Sequence, residues 1–196
     1  MKQLVQKQLA QSIATMQAVL ADEKISDTLV TIAELTATAM KSGHKLLVAG
    51  NGGSAADAQH LVAEFVVRLT DTRPALRAIA LTTDSSILTA CGNDFGFDQI
   101  FARQVEALGQ PGDIFLGIST SGNSPNILQA LEQAKKSGVT TIAFSGNGGG
   151  KSRNLADHNI IIPSTVTMNI QESHLALEHI FCMLVECVYF GPNPVA

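Results

Sequence analysis

His60 and Glu64 stand four residues apart, the spacing that brings two side chains to one point on a helix face. An imidazole beside a carboxylate can move protons: a carboxylate such as Glu64 can take a weakly acidic C–H proton, and a second group can shuttle the matching O–H proton. The plainer alternative for this pair is a surface ion pair. Similar residue types return near the C-terminus, where Gln171, Glu172, His174, Glu178 and His179 lie in nine positions. His, Glu, Gln and His suit zinc, although their spacing is not that of a compact zinc motif. On one helix Gln171 and His179 lie about 12 Å apart, so a shared metal would require them to lean together or the helix start to bend. His174 faces roughly with Gln171 and Glu178, and spacing leaves it in contention.

Two loops could hold an anion. Gly50-Asn-Gly-Gly-Ser54 follows an apolar run and opens a helix, where backbone N–H groups can approach a ligand and the helix start favours negative charge. Ser119-Thr-Ser-Gly-Asn-Ser124 follows another such run and precedes Pro125, a residue suited to the first turn of a helix. One serine there would fit an ordinary N-cap. Four hydroxyls within six residues indicate a cradle for a phosphomonoester. Two nucleotide patterns fall short. Gly50–Ala55 fits a relaxed dinucleotide fingerprint, but no acidic residue follows at the required distance, Asp71 lying in a loop and Asp84 too far on. Ser145–Ser152 resembles a P-loop with Ser145 at its first glycine, and Asp157 precedes its strand where a metal-binding Asp should end one. Gly148–Gly150 therefore reads as a flexible turn.

The elements that must carry these residues are legible in outline. Residues 2–42 have helical periodicity with a break over Asp22–Asp27. Five apolar runs follow, at Lys45–Gly50, Arg77–Leu81, Asp113–Ile118, Thr140–Phe144 and His158–Ile162, and near-continuous apolar character indicates parallel strands buried on both faces. Helical stretches at about 54–69, 99–108 and 125–137 separate most of them, and a last helix runs over about 170–190. This alternation predicts an α/β protein, a three-layer, doubly wound, five-stranded parallel sheet with N-terminal helices. No linker or repeat divides the chain, so one domain over residues 1–196 is expected, the arm of residues 1–42 included.

Of the 196 residues, 45% are hydrophobic and 15% charged, which argues against disorder. The net charge of −4 argues against a broad nucleic-acid surface, and the lack of a long apolar run against a membrane span. Cys91, Cys182 and Cys187 form no CxxC pair. With no secretory pattern at the N-terminus, reduced core thiols and a cytoplasmic location are expected.

The motifs together resemble the sugar isomerase (SIS) domain family, and within it the isomerases of phosphorylated heptoses. The likeness covers nearly the whole chain and is carried by Gly50–Asp57, Gln59-His60 with Glu64, Arg73-Pro74, Gly92–Gly96, Ser119–Ser124, and Gln171-Glu172 with His179. It implies a flavodoxin-like sheet, Asn51, Gly52 and Gly53 lining the sugar, and Asn93 and Asp94 holding hydroxyls. Ser119, Thr120, Ser121 and Ser124 would bind phosphate, with Glu64 and Gln171 also reaching the substrate. Glu64 would be the catalytic base and His179 the acid. One zinc per subunit would be held by His60, Glu64, Gln171 and His179. The implied assembly is a homotetramer with sites at subunit interfaces. The implied reaction converts sedoheptulose 7-phosphate to D-glycero-D-manno-heptose 7-phosphate, without nucleic-acid or membrane partners. One relative of similar length binds the replication initiator without catalysis; its pattern lacks counterparts of Glu64 and His179, both of which are present here. A sugar-phosphate-sensing regulator would carry an added DNA-binding domain.

Overall fold

The computed structural model describes residues 1–191. Two helices, α1 (Lys2–Ala21) and α2 (Glu23–Lys41), lead into strand β1 (Leu46–Gly50) and helix α3 (Gly53–Val66). Strand β2 (Ala78–Ala80), helices α4 (Ser85–Asp94) and α5 (Ala102–Leu108), strand β3 (Ile114–Ser119) and helix α6 (Pro125–Lys136) follow. The chain then forms β4 (Thr140–Ser145), the short α7 (Ser152–Leu155), β5 (His158–Ile161) and the long α8 (Thr167–Phe190). All five strands pair in parallel in the order β2-β1-β3-β4-β5. This is the doubly wound, flavodoxin-like order expected from the sequence.

The strands of the sheet centre are buried on both sides because their apolar residues feed two cores. Leu46, Val48, Ile114, Leu116 and Ile118 face α2, α3 and α8; Leu47, Ala49 and Phe115 face the layer containing α5 and α6. Helix α2 buries Ile25, Leu29, Ile32, Ala33, Thr36, Ala37 and Met40, a stripe of helical period. Helix α8 is long and apolar enough to pass for a membrane span by length and composition. Here it is a core helix, with Ile170, Leu177, Phe181, Cys182 and Val185 buried.

Four details differ from the sequence expectation. The break between the first two helices is Asp22 alone, whose carboxylate accepts from the Lys24 N–H. Helix α4 went unforeseen, although Asp84 is a readable N-cap that accepts from the Ile87 N–H at 2.9 Å. Helix α8 begins at Thr167, earlier than the apolar pattern alone indicates. Helix α1 buries little beyond Thr15 and Val19 and leaves Leu4, Val5, Leu9 and Ile13 more than half exposed. Periodicity identified the helix without revealing that its apolar face lies uncovered within one chain.

The two central strands are pinned where they begin. Asp113, 1% exposed, accepts from the backbone N–H groups of Lys45 and Gln110, each at 2.9 Å, and pairs with the Lys45 ammonium. Asp113→Ala should strip partners from two N–H groups and one ammonium, lowering stability by about 3–5 kcal/mol, as read by urea unfolding at neutral pH.

Candidate active site

Strands β1 and β3 are neighbours, yet α3 packs in one core and α6 in the other. The chain therefore parts above their carboxyl ends, where open α/β sheets bind ligands. Asn51 and Asn126 close this parting: each side-chain amide donates to the other's oxygen, at 2.9 and 2.8 Å. Each amide keeps one N–H and one lone pair for further use.

The serine loop is a built turn. Gly122, at φ 63°, donates its N–H to the Ser119 carbonyl at 2.9 Å. The Ser119 and Ser124 hydroxyls lie 2.9 Å apart, and Ser121 Oγ accepts from the Asn123 N–H at 3.1 Å. Ser124 is the N-cap of α6 and its hydroxyl makes no cap hydrogen bond. Pro125 has no N–H and the Ile127 N–H donates to the Ser124 carbonyl at 3.0 Å, so in this first turn the Asn126 N–H is the one left for an anion. The glycine turn after β4 holds this loop from behind. Gly146 donates to the Thr120 carbonyl at 3.0 Å, Ser152 to the Gly122 carbonyl at 2.9 Å, and Lys151 to Asn123 Oδ1 at 3.0 Å. What reads in sequence as a flexible turn is thus packed support, and a Cβ at Gly122 would collide with Gly149.

A second cluster lies between α3 and α8. The helices run side by side in the same direction: Gly53 meets the Gln171 amide, His60 meets His179, and Phe65 meets Phe181. His60 Nε2 and His179 Nε2 are 2.8 Å apart, with the rings edge to face, and His60 Nε2 is 3.5 Å from Glu64 Oε1. At that distance one imidazole must carry the shared proton and the other accept it. The ligand atoms of all three residues fall within 4.8 Å of one another. A tetrahedral site with bonds of 2.0–2.1 Å would separate its ligand atoms by roughly 3.3 Å. The two measured separations bracket that value, so the nitrogen and carboxylate donors of His60, Glu64 and His179 fit zinc.

The Gln171 amide lies against Gly53, seven residues before His60 on α3. Among the described residues, no hydrogen bond or ion pair joins Asn93 or Asp94 to either cluster; the Asn93 amide donates to Asp94 at 2.7 Å on the opposite layer.

Burial beneath the trio tunes groups that the motifs do not single out. Glu178 is fully buried with both carboxyl oxygens unpaired among the described residues, and burial followed by the charge of Asp57 pushes its pKa up to about 8. Burial also raises Asp57, against the opposing pull of His60. Asp57 could have been found by its spacing, one turn before His60. Arg73 donates to the Glu64 carbonyl at 2.6 Å, a contact that no periodicity foretells.

The SIS domain family matches residues 9–146 of this chain. The chain belongs to the SIS domain family. Its full-length relatives include the phosphoheptose isomerase of Burkholderia pseudomallei (strain 1710b), 52% identical over 93% of both chains. Another is that of Aquifex aeolicus, 55% identical over 84% of this chain and 86% of the relative. Among solved structures, the phosphoheptose isomerase of Neisseria gonorrhoeae superposes with a TM-score of 0.88 at 40% identity, covering 95% of this chain and 97% of that one. A phosphoheptose isomerase from Francisella tularensis gives 0.90 at 36% identity, covering 93% and 96%. The sugar isomerase domain of an RpiR transcription factor from Sphaerobacter thermophilus shares the SIS fold at 19% identity and a TM-score of 0.63. These relatives bear out the expectation of an isomerase built on an SIS domain.

His174 provides a pH test of the α8 layer. It is fully buried, its Nε2 lies 3.1 Å from the Ser145 carbonyl, and burial lowers its pKa to about 4. The unfolded chain therefore binds more protons than the folded one between pH 6.5 and about 4, and stability falls on acidification through that window. Wild type should lose roughly 3 kcal/mol more than His174→Gln across it, measured by urea unfolding at pH 7 and pH 4.

Proposed function

We propose that this chain is an aldose–ketose isomerase converting sedoheptulose 7-phosphate to D-glycero-D-manno-heptose 7-phosphate. The reaction would be the first step of ADP-heptose synthesis for the lipopolysaccharide core, carried out in the cytoplasm by one SIS domain spanning residues 1–196. The observation that carries this reading is the close approach of Glu64, His60 and His179 in a chain whose serine loop is shaped for a phosphomonoester. The relatives' shared name supplies the heptose.

In the proposed mechanism, the Ser119, Thr120, Ser121 and Ser124 hydroxyls and the start of α6 hold the phosphate. Asn51, Gly52, Gly53, Asn93, Asp94 and Gln171 orient the sugar. Glu64 removes the C–H proton beside the carbonyl and returns it to the neighbouring carbon. His179 moves the O–H proton between the two oxygens, and in the metal-free pair the 2.8 Å approach of His60 aligns its ring. Zinc, held by His60, Glu64 and His179 with Gln171 as the fourth member of the family set, would polarise the carbonyl and stabilise the enediolate oxygen. A carboxylate has two oxygens, so Glu64 can serve as ligand with one and as base with the other.

The geometry of one chain favours a site shared between subunits. Glu64 lies eleven residues past Gly53 on α3, about 16 Å of helix. A sugar phosphate of seven carbons spans roughly 9 Å from carbonyl to phosphorus at the rise per bond of an extended chain. A phosphate cradle above the strands and a base that far down α3 meet one substrate most simply when they come from different subunits. The exposed apolar face of α1 supports the same homotetramer.

Two experiments test the reading. Glu64→Gln should fold normally and lose about 10²–10⁴-fold in kcat, followed by NMR of sedoheptulose 7-phosphate; full activity would remove Glu64 as the base. Glu64→Gln and Ser121→Asp should each be inactive alone. Refolded together, they should regain about a quarter of wild-type activity through random pairing in a symmetric oligomer, whereas sites contained within one chain would regain none.

A further inference from the structure

We propose that Arg73 is the positioning residue of Glu64, fixing the end of α3 against α8 so that the carboxylate meets His60 and His179. This rests on the reading of Glu64 as base, and the argument begins with where the guanidinium spends its donors. Its Nε donates to Glu186 Oε1 at 2.7 Å, and its Nη2 lies 2.6 Å from the same oxygen as an ion pair. Nη2 also donates to the Glu64 carbonyl at 2.6 Å, and Nη1 to the carbonyls of Phe65 and Pro74 at 2.8 and 3.1 Å. Four hydrogen bonds thus leave the guanidinium, and all three of its nitrogens take part. The two side chains are 6% and 11% exposed, and the Phe190 ring lies 5.9 Å from the guanidinium.

An ion pair that merely joined two helices would need only the Glu186 contacts. Here three donors go to backbone carbonyls, two of them in the last turn of α3, where carbonyls lack helical partners. One of these is Glu64's own, so the Cα from which the carboxylate springs is held directly. Glu186 stands seven residues, two turns, after His179 on α8, so one rigid fork measures the gap that the trio must span. Lysine keeps the charge but presents its donors from a single point and cannot reproduce the fork.

The test uses Arg73→Lys, with the surface variant Arg103→Lys as control, kcat being normalised to folded protein. Loss of such outer partners typically costs about 10–100-fold in activity or metal affinity. Arg73→Lys should therefore lower kcat about 10-fold, leave KM for the sugar phosphate within about two-fold because the serine loop is untouched, and weaken zinc binding in a chelator competition. In the metal-free protein, the NMR signals of the His60 and His179 ring nitrogens should shift with the loosened pair. Glu186→Gln, which keeps the shape and removes the charge, should change the same quantities in the same direction. If wild type turns over no heptose phosphate, the functional reading fails, while the metal-free ring signals still decide the positioning. Unchanged ring signals and unchanged zinc affinity in a folded Arg73→Lys overturn the proposal. So does failure of both variants to fold, which would mark the fork as a general structural tie.

Discussion

Strands β1 and β3 lie side by side and send their helices to opposite faces of the sheet, and the rest of the molecule is arranged around that divergence. Asp113 joins the strands where they begin, through backbone N–H groups and the Lys45 ammonium. The Asn51–Asn126 amide pair joins the loops where they end. Between these ties the strands are buried on both faces and supply both cores. The anion-holding turn follows from this divergence: β3 must hand its chain to α6 within a few residues, and Gly122 with the glycine turn behind it makes so tight a passage possible.

The reactive side chains are placed differently. Glu64, His60 and His179 lie on two helices packed in parallel, and their spacing depends on how closely those helices approach. Phe65 against Phe181 sets the approach on the buried side, and the arginine fork sets it at the end of α3. Beneath them Glu178 sits fully buried beside the half-buried Asp57, and burial keeps Glu178 protonated at neutral pH. The layer under the trio is therefore less negative than its carboxyl count indicates. That weakens the competition for cations between Glu178 and the trio above.

Much of this was legible in the sequence, and what was not has definite causes. Strand burial shows in apolar runs such as Leu46–Gly50 and Ile114–Ser119, because a parallel sheet covered on both faces leaves no polar alternation to confuse the period. The His60–Glu64 pair follows from one helical turn. The meeting of His60 with His179, 119 positions apart, follows from tertiary packing that no local pattern encodes; the family likeness supplied it. Helix α4 leaves little trace in the sequence because its cap, Asp84, precedes a weakly periodic stretch containing a single buried side chain, Cys91. The role of Gly148–Gly150 was hidden because glycine-rich sequence looks the same whether it is loose or wedged against another loop. The place of the Gln171 amide, against Gly53, depends on a contact between two helices.

The stretch of α3 from Gly53 to Glu64 carries one more consequence under the shared-site reading. If the residues that grip the phosphate and those that move the proton sit on different polypeptides, the working unit is the contact between chains. Specific activity then becomes a function of total protein, because dilution below the assembly constant empties sites without unfolding a single subunit. A cell could silence such a catalyst by thinning it out, with no inhibitor and no chemical modification.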